Sequence, residues 1–323
     1  MTSNPELTLT VTIVAKTTIA DQITRFELAP DAGVNLPPVD AGAHIQVEVP
    51  NGLIRKYSLC QGPQITDRYI IAVKREENGK GGSRSLIDEA AVGIRLRISS
   101  PVNDFPLKGN PVRYIFIAGG IGITPIYSMM QTLLETGGKP FRLYYLSRSP
   151  GQTAFLEELQ GPEYRGKVVI HHDQGDPDQA YDLWPVLEQA KGAHLYCCGP
   201  RGLMKSVRDM TGHWPGSSVH FEDFGQGDVA HRPDDKAFSV RVGDSNDVMQ
   251  VPANQSILEV LRQHGYKVPS SCESGTCGTC RCRLIEGKAE HRDLVLSDEE
   301  KSRYLMICVS RSAGGELVIG LPE

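Results

Sequence analysis

The sequence predicts a multidomain chain: an antiparallel β-barrel or sandwich first, an α/β doubly wound parallel sheet second, and a smaller α+β domain around a cysteine loop last. Three observations predict it. From about Leu7 to Leu107, short β-rich runs (LTVTIVAK, AHIQVEVP, RYIIAVKR, IRLRIS) alternate with turns such as NLPPVDAG and GKGGS, the rhythm of antiparallel strands. From about Val112 to Gly225, near-continuous apolar runs (RYIFIAGG, FRLYYLS, KVVIHHD, AHLYCCG, SVHFEDF) are separated by helix-like stretches such as TPIYSMMQTLLETG, as buried parallel strands require. Beyond a polar stretch GQGDVAHRPDDK (225–236) that reads as a linker, the chain resumes with AFSVRVG, DVMQVP and the helical SILEVLRQHG, then reaches CESGTCGTCRC (272–282).

At 323 residues the chain is long for one core and suits two or three domains. A hydrophobic fraction of 40% and a charged fraction of 23% are globular values, and a net charge of -5 argues against nucleic acid as a partner. No apolar run approaches the ~18 residues that span a bilayer, and the start MTSNPELTLT lacks a secretory pattern. A cytoplasmic location, with no membrane association, is expected. There cysteines stay reduced and their clusters bind metal more often than they form disulfides.

Cys272, Cys277 and Cys280 fit the plant-type [2Fe-2S] spacing C-x4-C-x2-C, and Cys308 supplies the distant fourth thiolate. Gly275 and Gly278 suit a loop that turns backbone N–H groups toward sulfur. Cys282 alternates with Arg281 and Arg283 as an inward strand residue would. The competing reading, zinc, usually needs two C-x2-C pairs, and this loop has one.

GGIGITP (119–125) follows a strand and opens a helix. Gly119, Gly120, Ile121 and Gly122 would let a pyrophosphate approach backbone N–H groups, and Pro125 suits the first helical turn. The second strand end CCGP (197–200) opens toward the same edge. In the β-rich region, Arg55 offers a phosphate fork, Ser58 a hydroxyl, and Gly81, Gly82 and Ser83 a nest. Taken singly, Tyr57 reads as half-buried strand, Lys74 as a solvated strand end and GKGGS as a hairpin turn. Together they ask for a flavin, without distinguishing FMN from FAD.

The motifs RKYSL, GGSRS, GGIGITP, CCGP, VHFEDF and CESGTCGTC with Cys308 occur in the order of the phthalate dioxygenase reductase family, and the likeness runs over essentially the whole chain. The resemblance implies an antiparallel β-barrel flavin domain binding FMN (1–107), an NAD-binding domain (108–226), a linker (227–236) and a plant-type ferredoxin of β-grasp fold (237–323). It implies that Arg55, Lys56, Tyr57 and Ser58 contact FMN, with Arg55 on its phosphate and Ser58 near its ring. Ala72, Val73 and Lys74 would line the flavin, and Gly81, Gly82 and Ser83 would bind phosphate. Thr124 would face both flavin and nicotinamide, with Cys198, Gly199 and Pro200 beside the nicotinamide. Phe224 resembles the aromatic that covers the flavin until nicotinamide displaces it. Cys282 departs from the family pattern as an extra thiol.

The chemistry so implied converts a hydride from NADH into single electrons for the cluster, with the flavin between, and passes them to a Rieske-type terminal oxygenase. The partner would be an aromatic-ring dioxygenase acting on phthalate, or alternatively a Rieske O-demethylase such as that for vanillate. A reading from another class is a zinc-binding or redox-sensing module. Ser147, Arg148 and Ser149 offer a conceivable 2′-phosphate site for NADPH, whereas the resemblance implies NADH. From Lys236 to Glu323 the chain has 11 Lys/Arg against 12 Asp/Glu, a balance suited to a ferredoxin whose first partner is tethered to it rather than found by diffusion. A monomer is expected.

Overall fold

The computed structural model describes residues 7–77, 79–224, 232, 234–243, 247–270 and 272–322. Two compact units divide the chain near His220 and Phe221.

The first unit opens with a six-stranded sheet of order β4-β3-β6-β1-β2-β5, formed by β1 (Leu9–Ala20), β2 (Ile23–Pro30), β3 (His44–Glu48), β4 (Ile54–Ser58), β5 (Tyr69–Lys74) and β6 (Arg95–Ile98). All its pairings are antiparallel. A bridge from Leu59 to Ile71, and the Cys60 N–H donating to the Ile70 carbonyl at 2.8 Å, join the two edges and close a barrel. Alternate residues point inward, so Val11, Ile13, Phe26, Leu28, Ile45, Val47, Ile71 and Val73 fill its core. Helix α1 (Gly82–Glu89) follows β5. GKGGS therefore opens a helix and is not the hairpin turn that its composition suggests.

A five-stranded sheet of order β11-β10-β7-β8-β9 follows. Its strands are β7 (Arg113–Gly119), β8 (Phe141–Ser147), β9 (Val168–His172), β10 (Ala193–Cys198) and β11 (Val219–Glu222), with helices α2 (Ile123–Glu135), α3 (Leu156–Leu159), α4 (Trp184–Leu187) and α5 (Arg201–Met210) between them. The pairings β10–β7, β7–β8 and β8–β9 are parallel. These are the five apolar runs singled out in the sequence; the central strands β7, β8 and β10 are largely buried, whereas the edge strands β9 and β11 are mostly half-buried.

The C-terminal sheet has the order β13-β12-β18-β14-β16, from β12 (Phe238–Val242), β13 (Val248–Val251), β14 (Arg281–Glu286), β16 (Tyr304–Met306) and β18 (Leu317–Gly320). Helix α6 (Ile257–Gln263) packs on it, started by a capping box in which Ser256 and Glu259 each bond the other's backbone N–H. A ribbon of β15 (Ala289–Glu290) and β17 (Arg311–Ser312) completes the fold. The linker expected at 227–236 falls mainly outside the described residues. Its end does not behave as a linker, because the Asp235 side chain is 3% exposed and ion-paired.

Candidate functional site

Strand β4 and the start of α1 bring a set of polar donors together. Period-two alternation puts Arg55 and Tyr57 on one face of β4, and Ser58 ends the strand. Arg55 spends Nη1 on the Ile54 carbonyl at 2.8 Å. Its Nη2, the Tyr57 hydroxyl and the Ser58 hydroxyl are buried without a hydrogen-bond partner. Such orphaned donors are costly unless a ligand satisfies them. Burial pushes the Tyr57 phenol up to about 12 against the pull of Arg55, which keeps it a neutral donor. Gly81 is left-handed at φ 87° and caps α1. A Cβ at Gly82 would lie 2.7 Å from Arg55 Nε, so glycine there lets the guanidinium sit against the helix N-terminus. A guanidinium nitrogen and two hydroxyls are donors of the kind that phosphate and flavin oxygens accept. Ser83 Oγ accepts from the Glu76 N–H at 3.1 Å and retains its own proton to donate. Asn51, which the sequence reading missed, ties the β3–β4 turn to this helix, accepting nothing from it but donating Nδ2 to the Gly81 carbonyl at 3.4 Å and N–H to Ser85 Oγ at 2.9 Å.

The nucleotide turn is set by close backbone contact. A Cβ on Gly122 would lie 2.2 Å from the Cys198 carbonyl oxygen, and one on Gly119 2.6 Å from Pro200 Cδ. The GGIG and CCGP turns therefore interlock at the C-terminal ends of β7 and β10, where ligands bind in such sheets. Thr124 donates Oγ1 to the Ile121 carbonyl at 3.0 Å and is 2% exposed. The Cys198 thiol is fully buried, so the CCGP turn presents Gly199 and Pro200 rather than sulfur. Tyr145, also missed, braces the turn by donating to the Gly120 carbonyl at 3.1 Å.

The barrel is bolted to α2. Gln131 accepts from the Gly62 N–H at 3.1 Å and donates to the Cys60 carbonyl at 2.9 Å, and Ser128 donates to the Gln61 carbonyl at 2.8 Å. Polar residues at i and i+3 within the apolar TPIYSMMQTLL were the available sign of this seam. Of the expected flavin-lining strand, Ala72 joins the core shared with α2, while Val73 points into the barrel. Lys74 pairs with Glu76 at 2.9 Å, and Lys56 is exposed on the other face of β4. Phe224 lies just past β11 and is 39% exposed. The Ser147 hydroxyl is buried and bonded to Thr153 Oγ1 at 2.7 Å, which removes it from a 2′-phosphate role.

In the second unit Cys272 lies beside Cys277 and Cys280 beside Cys308, while among the described residues no group of three or more His, Cys, Asp or Glu is gathered closely enough to hold a metal ion. Cys272 and Cys277 are half-buried, whereas Cys280 and Cys308 are buried. The Cys277 thiol, then the hydroxyl and backbone N–H donors of Thr276 and Ser274, bring Cys272 down to about 4. The Ser274 and Thr276 N–H groups point at Cys272 Sγ at 3.5 and 3.4 Å, the hydrogen bonding that thiolate–iron sulfur needs. Gly275, at φ 78°, is pinned because a Cβ would lie 2.7 Å from Val309 Cγ2 and 3.1 Å from Asp293 Cα. Cys282 sits inward on β14 opposite Leu305, 1% exposed, its thiol pushed up to about 12 by burial.

The fold sets the class, a three-part chain of closed antiparallel barrel, parallel α/β sheet and mixed sheet with a cysteine-rich loop. The 2Fe-2S iron-sulfur cluster binding domain model matches residues 240–313, and the oxidoreductase NAD-binding domain model residues 116–209. The chain is 54% identical to the phthalate 4,5-dioxygenase oxygenase reductase subunit of Pseudomonas putida, covering 96% of this chain and 95% of that one. It is 52% identical to phthalate dioxygenase reductase of Burkholderia cepacia, with 97% of both covered. A solved structure of phthalate dioxygenase reductase, described as modular for electron transfer from pyridine nucleotides to [2Fe-2S], superposes with a TM-score of 0.69 at 51% identity, covering 97% of this chain and 98% of that one. The chain belongs to the phthalate dioxygenase reductase family. It is an NADH-dependent oxidoreductase with FMN and a [2Fe-2S] cluster as its redox groups. When bound, FMN takes a hydride and gives up electrons singly. Among the described residues no helix is long and apolar enough to cross a membrane.

Proposed function

We propose that this chain is the reductase of an aromatic-ring dioxygenase system, handing electrons to the Rieske centre of a terminal oxygenase that acts on phthalate. The end-to-end similarity to two reductases named for phthalate dioxygenase carries this reading. Residues 1–107 would hold FMN, 108–226 NADH, and 237–323 the cluster, on Cys272, Cys277, Cys280 and Cys308. Arg55, with the α1 N-terminus at Gly82 and Ser83, holds the phosphate; Tyr57 and Ser58 donate toward the flavin. Support comes from their three orphaned donor atoms. Thr124 and the Gly119–Gly122 turn, against Gly199 and Pro200, hold the nicotinamide half of the dinucleotide in place. No side chain here needs to move a proton; the residues orient the reactants.

The test is anaerobic NADH titration of the holoprotein, followed by turnover with purified phthalate dioxygenase and vanillate O-demethylase oxygenase components. Uptake of about three electrons per chain, two by flavin and one by cluster, with faster phthalate turnover, is the expected result. Faster turnover with the demethylase would reassign the partner.

A further inference from the structure

Alternation along β8 places Phe141, Leu143 and Tyr145 on the face that packs with α2. Tyr145 alone among them carries a polar tip into this core, and it is 0% exposed. A buried phenol needs partners for its hydroxyl. Here it has two, the Gly120 carbonyl to which it donates and the Ala154 N–H from which it accepts, each at 3.1 Å. Burial raises the phenol against the pull of the Ala154 N–H, so the proton that bonds Gly120 stays in place.

The two partners are backbone groups of different turns. Gly120 belongs to GGIG at the end of β7, is left-handed at φ 53°, and has nothing within 4 Å of where a Cβ would stand. Sterics therefore leave its orientation to hydrogen bonds. Its carbonyl accepts from the Ile123 N–H as well as from Tyr145, and the next carbonyl, that of Ile121, accepts from Thr124 Oγ1 at 3.0 Å. In a planar trans peptide the carbonyl and the following N–H point opposite ways. Holding the Gly120 carbonyl against Tyr145 thus turns the Ile121 N–H away from the core, and Thr124 does the same for the Gly122 N–H. Ala154 lies in the turn after β8, where Thr153 Oγ1 donates to the Ser149 carbonyl at 2.8 Å and bonds Ser147 Oγ at 2.7 Å. The phenol is therefore anchored by its strand on one side and by a braced turn on the other.

We propose that Tyr145 is a positioning residue for NADH: its hydroxyl aims the Ile121 N–H at the pyrophosphate of the dinucleotide. The proposal rests on the reading of GGIG as the pyrophosphate turn, inside the region that matches the NAD-binding domain. Being fully buried, Tyr145 acts through Gly120 and not by touching the nucleotide.

The experiment uses full-length oxidised holoprotein in three forms: wild type, Tyr145→Phe, and a form with p-aminophenylalanine at position 145, which keeps an N–H donor where the hydroxyl was. Calorimetric titration reads the affinities of ADP-ribose, which carries the pyrophosphate, and of AMP, which lacks it. Stopped-flow reads flavin reduction against NADH concentration. Tyr145→Phe is expected to bind ADP-ribose about tenfold more weakly, as the loss of one hydrogen bond to a charged group implies, with AMP affinity within about twofold of wild type. The NADH concentration for half-maximal flavin reduction should rise by about the same tenfold, with the limiting rate within about threefold of wild type. General loosening of the domain would not produce that split. The amine form should bind ADP-ribose within about threefold of wild type. Equal losses for the two ligands in Tyr145→Phe would overturn the proposal, as would wild-type affinity for ADP-ribose in that variant. Should Tyr145→Phe not retain flavin and cluster, the amine form decides alone: ADP-ribose affinity within about threefold of wild type supports the proposal and a larger loss overturns it. Wild-type protein that binds AMP as tightly as ADP-ribose would refute the pyrophosphate reading of the turn itself.

Discussion

At the scale of single residues, the site is marked by donors that have nothing to bond. Arg55 loses its role if its guanidinium is removed: Arg55→Ala should weaken FMN binding about 10- to 100-fold, the equivalent of ~1.5–3 kcal/mol for a charge-assisted hydrogen bond, as measured by flavin fluorescence on dilution. Cys282 and Cys308 differ in the opposite sense. Cys282 is a core thiol on β14, so Cys282→Ala should leave the cluster absorption and EPR unchanged at a cost of about 1 kcal/mol in stability, whereas Cys308→Ser should abolish the native spectrum. His44, opposite Ser58 in the β3–β4 ladder, is brought down to about 4 by burial, then by Lys56, against the pull of Asp104. A folded pKa below the unfolded 6.5 means the unfolded chain binds the proton first. Stability is then full above pH 6.5 and falls as pH drops toward 4, by about 2 kcal/mol at pH 5. Denaturant midpoints at pH 7 and pH 5 check this, and His44→Gln should flatten the difference.

Elements explain why glycine, and not sequence spacing alone, marks the nucleotide turn. The GGIG and CCGP turns touch backbone to backbone, and a methyl group at Gly122 would meet the Cys198 carbonyl and the Gly199 nitrogen, backbone atoms that cannot swing aside. Gly122→Ala should cost roughly 1–3 kcal/mol of stability and slow flavin reduction by NADH, while reduction of the same flavin by dithionite stays at the wild-type rate. Much of this scale was legible in the sequence: the five apolar runs are the five strands of the parallel sheet, and Cys282 reads correctly as an inward strand residue. Helix α1 was not legible. Its start, GKGGS, has the composition of a turn, and what makes it a helix is tertiary, since α1 buries Leu86 in the barrel core and Ser85 accepts from Asn51. Asp235 misled for a related reason. Carboxylates such as Asp234 and Asp235 in a polar, Pro-containing stretch signal solvent, and the Asp235 partners Arg292 and Arg311 lie 57 and 76 residues away in sequence.

For the whole molecule, the deciding feature is the core shared by the barrel and the parallel sheet. Ile23, Cys60 and Ala72 from the barrel pack in one cluster with Phe116, Ile126, Met129 and Met130, and the Ser128 and Gln131 bonds seal its edge. Calorimetry of a fragment ending at Phe224, just past β11, should therefore show one cooperative transition for flavin and nucleotide halves together; two resolved peaks would contradict it. That shared core has a consequence for how such reductases are recombined. A gene fusion that exchanges the ferredoxin leaves every one of these contacts intact, whereas one that cuts between the flavin barrel and the nucleotide sheet exposes two apolar faces made for each other. The heritable cassette is thus the pair, and variation in electron acceptor is open to domain shuffling in a way that variation in electron donor is not.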